Sequence, residues 1–367
     1  KSVFKREWGD FVDNWVDHNS ASRVAIQWGE AAQLRQAMHY FIEEWTDDGV
    51  PKEWPSMTKV FKASKSLVGA TLWHPFDHQR GYHPDPFWGG IMDAYRQPKF
   101  SYYLFKSLLP TNGLEHVPGV EARPFVYIAH LLTPFSSQDM VVFTNCEEVR
   151  LTLYGKEVGR QSAIDPNSPV PRVPVVFEDI FRYVDARKKN KKSYGKIDQE
   201  YVEAALAKAE GMIDGKVVTQ HQRWPVGRKR RLLLKVDDST LQPLADGSDI
   251  TPVVAYLVDA GGAVKRLSDE YVRFTVSGQG ELIGGVENEI NPQKLLWGEA
   301  VALVRSSLQP GTVTVHAEVL KDGSNGPESA EIEFCTMAPT HAFLYQEAPD
   351  LGQVQTSATV HQDPDET

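Results

Sequence analysis

The first 112 residues carry an apolar pattern that predicts two strands alternating with two helices. Residues 1–9 form a short apolar-polar run that predicts a strand, and residues 23–45 place apolar side chains at helical spacing. A second strand is predicted over 69–74 and a second helix over 101–108. This βαβα order is typical of an α/β layer or barrel. Since two strands cannot close a barrel, the pattern indicates part of a larger α/β domain, and the abrupt start on a strand at Lys1 indicates a piece of a longer polypeptide.

Between residues 113 and 238 the apolar period changes to two, which predicts a β-sandwich. Strands are predicted over 124–130, 139–144, 149–153 and 157–161, the last two joined by a turn at Tyr154-Gly155-Lys156. We expect an insertion near 177–212 with a helical stretch over 199–211. Its basic run, 187–192, is either a patch for an anionic ligand or a solvated helix face or loop, and charge runs favour the solvated surface.

Residues 239–338 again predict short strands. Strands are expected over 251–259, 264–276 and 312–320, and Ala260-Gly261-Gly262 supplies a turn. Regular short strands with Gly, Pro and Asp turns are typical of an immunoglobulin-like β-sandwich. Residues 353–367 are polar with few large apolar side chains, and we expect residues 339–367 to form a tail.

Composition excludes several classes of function. The chain has 367 residues, which is long enough for two or three cores. Its net charge of −10 argues against nucleic acid as a partner, because phosphate binding needs a basic face. No apolar stretch reaches the 18 residues that a membrane span requires. The two cysteines, Cys146 and Cys335, form neither a disulfide framework nor a metal-ligand spacing.

Polar and aromatic side chains are densest directly after the second predicted strand, over residues 73–85. Loops at the carboxyl ends of barrel strands build active sites. Trp73 offers an apolar face for sugar C–H groups, while Asp77 and His78 offer partners for hydroxyls. Two alternatives remain open. His74, Asp77, His78, His83 and Asp85 have the donor atoms for a divalent metal but no recognised ligand spacing, and the loop could simply be packed.

A second candidate site is Arg6-Glu7-Trp8-Gly9-Asp10, at the end of the first predicted strand. A carboxylate there can face a pocket as nucleophile or base. Glu30 and Glu44 are weaker candidates, because the helical stretch that contains them belongs on the outer side of a barrel.

These motifs together resemble the C-terminal part of family 2 glycoside hydrolases of the bacterial β-galactosidase type. The resemblance rests first on Glu7 followed by an aromatic residue and Gly, and on Trp73 with Asp77 four residues later. It continues through Gly89-Gly90-Ile91-Met92-Asp93 and Arg96-Gln97-Pro98-Lys99, which resemble the family's barrel exit. Thr144-Asn145-Cys146 through Gly155-Lys156 and the run from Val276 to Leu282 resemble its two following sandwiches. The resemblance covers residues 1–338.

The resemblance implies the end of a (β/α)8 barrel followed by two immunoglobulin-like sandwiches, the first with a helical insertion. It also implies a retaining, exo-acting β-glycosidase, by family frequency a β-galactosidase, with Glu7 as the nucleophile. Asp10, Trp73, Asp77 and His78 would contact the sugar, although Asp77 and His78 could instead brace their loop. No metal and no cofactor are expected. The implied domains are residues 1–112 (barrel end), 113–238 and 239–338 (sandwiches) and 339–367 (tail).

In the family that this chain resembles, the acid/base glutamate directly follows an Asn and lies well before the nucleophile. No Asn-Glu pair precedes Glu7 in this sequence. We therefore expect the isolated chain to be inactive without the remainder of the catalytic domain. The expected substrate is a glycoside derived from an oligosaccharide or polysaccharide, and the family type favours a periplasmic or extracellular location. The alternative functions are an accessory module that binds carbohydrate or forms a homo-oligomer, and a metal-dependent hydrolase.

Overall fold

The computed structural model describes most of the chain from residue 89 onwards and selected elements before it. The described residues are 3–8, 30–39, 66–72, 75–78, 89–133, 136–168, 170–184, 206–227, 230–237, 242–284, 291–320 and 328–340. The predicted basic run at 187–192 and the predicted tail from 341 onwards lie outside these residues. No helix among the described residues is long and apolar enough to cross a membrane.

A parallel β-α-β unit opens the chain, as the apolar pattern predicts. Strand β1 (Val3–Trp8) pairs in parallel with β2 (Leu67–Leu72), and helix α1 (Glu30–His39) lies between them in sequence. Ala37 of α1 is fully buried in a core that it shares with the first sandwich. The connectivity is the one expected of neighbouring strands in an α/β barrel, and the described residues before position 89 contain these two strands of it.

Residues 89–107, here called the exit segment, connect this unit to the sandwiches. The segment forms a compact turn over 89–99 and then helix α2 (Phe100–Lys106), close to the predicted helix. Phe100 and Leu104 of α2 are buried against Tyr127 and Phe143 of the next domain. The helical end of the exit segment is therefore packed against the first sandwich.

The first sandwich consists of a three-stranded and a four-stranded antiparallel sheet, ordered β3-β4-β7 and β6-β5-β8-β9. Its elements are β3 (Val126–Ala129), β4 (Met140–Thr144), β5 (Glu148–Leu153), β6 (Lys156–Ser162), β7 (Val175–Phe177), the one-turn helix α3 (Phe181–Val184), β8 (Ala207–Ile213) and β9 (Lys216–Arg223). Alternate residues of β5, such as Val149 and Leu151, point into the core between the sheets. Tyr154 and Gly155 both adopt positive φ, which forms the predicted β5–β6 turn.

The predicted helix over 199–211 is wrong for its described part. Residues Ala207–Ile213 form β8, a central strand between β5 and β9. Its Ala, Lys and Glu residues favour a helix in isolation. However, Ala207 and Ala209 are fully buried in the core, so tertiary pairing overrides local propensity. Residues 199–205 lie outside the described part of the chain.

The C-terminal sandwich packs two antiparallel four-stranded sheets, ordered β10-β11-β15-β13 and β14-β12-β16-β17. Its strands are β10 (Arg231–Val236), β11 (Ile250–Val258), β12 (Tyr271–Gly278), β13 (Gly280–Leu282), β14 (Gln293–Lys294), β15 (Glu299–Ser306), β16 (Gly311–Leu320) and β17 (Ser329–Thr336). Both sheets contribute to a single apolar core. β10 (Arg231–Val236) is an edge strand of the β10-β11-β15-β13 sheet, although the sequence pattern assigns residues up to 238 to the first sandwich. The strand predicted over 264–276 begins only at Tyr271, because residues 260–270 contain turns and a single bridge between Val264 and Val258.

Candidate active-site region

The two parallel strands place Glu7 and Leu72, the residue before Trp73, at the same end of the unit. Trp8 of β1 is in register with Leu72 of β2, and the pairing shifts between Lys5 and Trp8. Glu7 therefore lies at the carboxyl end of β1, and Trp73 directly follows the carboxyl end of β2. The side chain of Glu7 is not described, and Trp73 and Asp10 lie outside the described residues. Neighbouring parallel strands have their carboxyl ends at the same edge of a sheet.

Asp77 is held in a buried network rather than displayed on the surface. Its Oδ1 lies 2.6 Å from Nζ of Lys99 and accepts a 2.9 Å hydrogen bond from the backbone N–H of Gly90. Neither charged side chain exposes more than 4% of its surface. This geometry favours a brace within the loop, one of the two roles that the sequence leaves open for Asp77. His78 follows it, half-buried.

The exit segment forms the other half of this brace. The backbone N–H of Asp77 donates to the Met92 carbonyl, and the N–H of Met92 donates to the Pro75 carbonyl, each at 3.0 Å. Gly90 packs so closely that an added Cβ would overlap the backbone of Phe76 and Asp77. The loop after β2 is therefore fixed by direct backbone pairing to the exit segment.

Helix α1 fixes the exit segment from the opposite side. Gln36 donates from Nε2 to the carbonyls of Gly89 (2.9 Å) and Gly90 (3.1 Å), and Gln33 accepts from the N–H of Phe100. Glu30, at the start of α1, accepts from the N–H of Leu131 and from the hydroxyl of Ser136 in the first sandwich. Its carboxylate therefore links α1 to the first sandwich.

Burial changes the ionisation of two groups near the exit segment. It raises the pKa of Asp93 to about 7, although the N–H groups of Tyr95 and Gln97 donate to its Oδ1 and oppose the shift. Burial lowers the pKa of His221 to about 3, with the charge of Arg223 adding to the effect. Nδ1 of His221 accepts from the N–H of Ile128, so its neutral form is built into the fold.

The metal alternative gains no support from the described part of the chain, where no three His, Cys, Asp or Glu side chains are grouped as a metal site requires. His74, His83 and Asp85 lie outside it. Sequence reasoning also missed Lys99 as a partner of Asp77. The only available signal was a lysine within the barrel-exit motif, and sequence alone does not indicate which of the loop carboxylates it meets.

Comparison with known proteins finds relatives of this chain in one family. Residues 232–325 match the model of the glycoside hydrolase family 2 C-terminal domain 5. A β-galactosidase of Thermoanaerobacter pseudethanolicus is 31% identical over 265 residues, which cover 69% of this chain and 32% of that protein. A β-glucuronidase of Formosa agariphila is 29% identical over 253 residues, covering 67% of this chain and 22% of that protein. The chain thus spans about a third or less of these curated relatives.

Solved structures share the fold at lower sequence identity. A β-glucuronidase of glycoside hydrolase family 2 superposes with a TM-score of 0.57 at 21% identity, over 93% of this chain and 32% of the other. A β-glycosidase of Bacteroides vulgatus gives a TM-score of 0.54 at 17% identity, over 76% and 32%.

Proposed function

Because the chain belongs to glycoside hydrolase family 2 and corresponds to a C-terminal portion of its members, we propose that it is part of a retaining β-glycosidase with Glu7 as nucleophile. The observation that carries this proposal is the parallel register of β1 and β2. It places Glu7 and the position before Trp73 at the same end of adjacent strands, where barrel enzymes hold catalytic groups.

The chemistry of such an enzyme needs two carboxylates about 5–5.5 Å apart. One attacks the anomeric carbon and forms a covalent glycosyl-enzyme, while the other protonates the leaving oxygen and later activates water. Glu7 takes the first role. The second belongs to a glutamate that precedes Glu7 in the complete catalytic domain, so this chain supplies one half of the pair.

The other site candidates take supporting roles. Trp73 provides the aromatic platform for the sugar ring, and Asp10 binds a hydroxyl beside the nucleophile. The buried pair of Asp77 with Lys99 supports a role in holding the loop that carries Trp73 and His78. The substrate we propose is a terminal β-galactoside, since the relative at 31% identity is named a β-galactosidase. The relatives named β-glucuronidase make a glucuronide the alternative to test.

The test uses the longer polypeptide in which the catalytic domain is complete. Glu7→Gln should abolish hydrolysis of both aryl β-galactosides and aryl β-glucuronides and leave the melting temperature unchanged. Glu157→Gln, an exposed position on β6, is the matched control and should keep full activity. Azide added to Glu7→Ala should restore turnover with an inverted product, because the anion can attack from the vacated side. Full activity of Glu7→Gln would reject the proposal.

A further inference from the structure

Gln293 joins the C-terminal sandwich to the exit segment. Its Nε2 donates to the hydroxyl of Tyr95 at 2.8 Å, and its Oε1 accepts from the N–H of Val301 at 2.6 Å. One end of the amide is therefore fixed on the sandwich, while the other holds a residue that lies 198 positions earlier in the chain.

Tyr256 makes a second, separate connection. Its hydroxyl donates to Oε1 of Gln97 at 3.3 Å, and Nε2 of Gln97 donates to Oδ1 of Asp237 at 3.1 Å. Gln97 exposes only 5% of its surface. If the buried amide of Gln97 lost these partners, its polar atoms would be left unsatisfied at a cost in free energy. The two hydrogen bonds therefore fix where Gln97 sits relative to the C-terminal sandwich.

The exit segment connects Tyr95 and Gln97, which the C-terminal sandwich holds, to the loop after β2. Its turn is closed by hydrogen bonds from the N–H of Asp93 to the Gln97 carbonyl (2.9 Å) and from the N–H of Lys99 to the Ile91 carbonyl (3.1 Å). Between these two bonds lies Met92, whose backbone pairs with the loop at Asp77. A continuous set of hydrogen bonds thus runs from the C-terminal sandwich to the loop.

An aromatic contact supports the same junction. The rings of Phe100 and Trp297 meet edge to face with their centroids 6.1 Å apart. Arg266 pairs with Glu299 and donates to the carbonyl of Trp297, which holds this turn in place. The junction is therefore packed as well as hydrogen-bonded.

We propose that Tyr256 and Gln293 are positioning residues for the loop after β2. Through them the C-terminal sandwich sets the placement of residues 75–78 from outside the catalytic domain. This role rests on the proposed glycosidase function, because the loop is the one expected to contact the sugar. Neither residue touches the reacting atoms. Their effect passes through Tyr95 and Gln97 to the backbone pairing of Asp77 with Met92.

Amide hydrogen exchange on the 367-residue chain tests the coupling without relying on activity. The double variant Tyr256→Phe/Gln293→Ala should speed exchange at the N–H groups of Asp77 and Met92 by about fivefold for each hydrogen bond removed. Exchange at Val142, inside the first sandwich, should not change. Tyr271→Phe and Gln309→Ala remove the same groups from exposed positions of the C-terminal sandwich and are the matched controls.

Unchanged exchange at Asp77 and Met92 would overturn the proposal. If the double variant does not fold, the single variants replace it, and equal acceleration at Val142 and Asp77 would mean a general loss of stability and also overturn it. In the longer polypeptide, Tyr256→Phe should raise the KM for the glycoside more than it lowers kcat, since ground-state and transition-state contacts weaken together.

Activity measurements separate this proposal from the proposed function. If Glu7→Gln remains active, the glycosidase assignment fails whatever the exchange result. If Glu7→Gln is inactive and Tyr256→Phe speeds exchange yet leaves KM and kcat unchanged, the glycosidase assignment holds and the positioning role is wrong.

Discussion

Nζ of Lys99 lies 2.6 Å from Oδ1 of Asp77, and the two side chains expose 4% and 0% of their surfaces. The pair connects the loop after β2 to the exit segment across 22 positions of sequence. A charge buried in this way depends on its partner, because removal from water costs several kcal/mol per ion. The pair therefore adds to the backbone hydrogen bonds between Asp77, Met92 and Pro75 that hold the loop.

Lys99→Met should destabilise the chain by about 3 kcal/mol, because it removes the buried cation that lies 2.6 Å from the Asp77 carboxylate. Chemical denaturation measures the loss. The control is Arg123→Ala, which breaks an exposed pair with Glu121 and should cost less than about 0.5 kcal/mol. Equal effects of the two substitutions would show that the Lys99–Asp77 pair is as weak as a surface pair.

Gly90→Ala should lower stability by about 1–3 kcal/mol, because the added methyl group would overlap the backbone of Phe76 and Asp77. Gly159→Ala is the control, since the nearest atom to its added Cβ is Cε1 of Phe177 at 3.9 Å. Thermal unfolding of both variants compares them. A Gly90→Ala variant as stable as Gly159→Ala would contradict the tight packing of the exit segment on the loop.

The raised pKa of Asp93, about 7, makes stability depend on pH. An unfolded aspartate titrates near 3.9, so above that pH the unfolded chain has released a proton that the folded protein still binds. The contribution of Asp93 is therefore fully present below pH about 4 and is lost as the pH rises through about 7. The expected loss in the free energy of unfolding is on the order of 1–2 kcal/mol, a figure that already includes a reduction for the partial exposure of the side chain.

Asp93→Asn should flatten this dependence, because the amide keeps the Oδ1 acceptor for Tyr95 and Gln97 and cannot ionise. The measurement is the melting temperature between pH 5 and 8.5. Asp165→Asn, at an exposed turn where Oδ1 accepts from the N–H of Asn167, should retain the original pH dependence. A similar fall with pH in wild type and Asp93→Asn would reject the assignment to Asp93.

The proposed division of the catalytic pair predicts that the 367-residue chain alone does not hydrolyse an aryl β-galactoside. Glu7 without a general acid cannot protonate the leaving oxygen. Release of the aryl alcohol is the measurement, with buffer as the baseline. Turnover that disappears in Glu7→Gln would instead show that this chain contains a complete pair.

Periodicity predicted the regular strands well and failed where packing opposes local preference. The alternating side chains of β16 have the same period as its burial, so residues 312–320 predict Gly311–Leu320 closely. β8 was missed because alanine and charged residues favour a helix, and only its two neighbours β5 and β9 make it a strand. Its position in the sheet is a long-range property that a local pattern does not contain.

Within the candidate site, the sequence suggests which residue types could act, whereas the partners of Asp77 are set by the fold. The concentration of Trp, His and Asp after β2 indicates a functional loop from sequence alone. The role of Asp77 depends on Lys99, which the fold of the exit segment brings within 2.6 Å of it. The contacts of Tyr256 with Gln97 and of Gln293 with Tyr95 depend on how the C-terminal sandwich packs against the exit segment. Such contacts arise from three-dimensional packing and leave no spacing in the sequence.

Helix α2 touches both sandwiches through two aromatic residues that are three positions apart. Tyr103 stacks on Tyr127 with centroids 3.7 Å apart, while Phe100 meets Trp297. Exchange of the C-terminal sandwich between relatives would place a foreign Trp297 turn against a native α2. A chimera should therefore take residues 89–107 and 230–340 from the same parent. The two ranges share an aromatic contact between Phe100 and Trp297, so they do not behave as parts joined by a flexible linker.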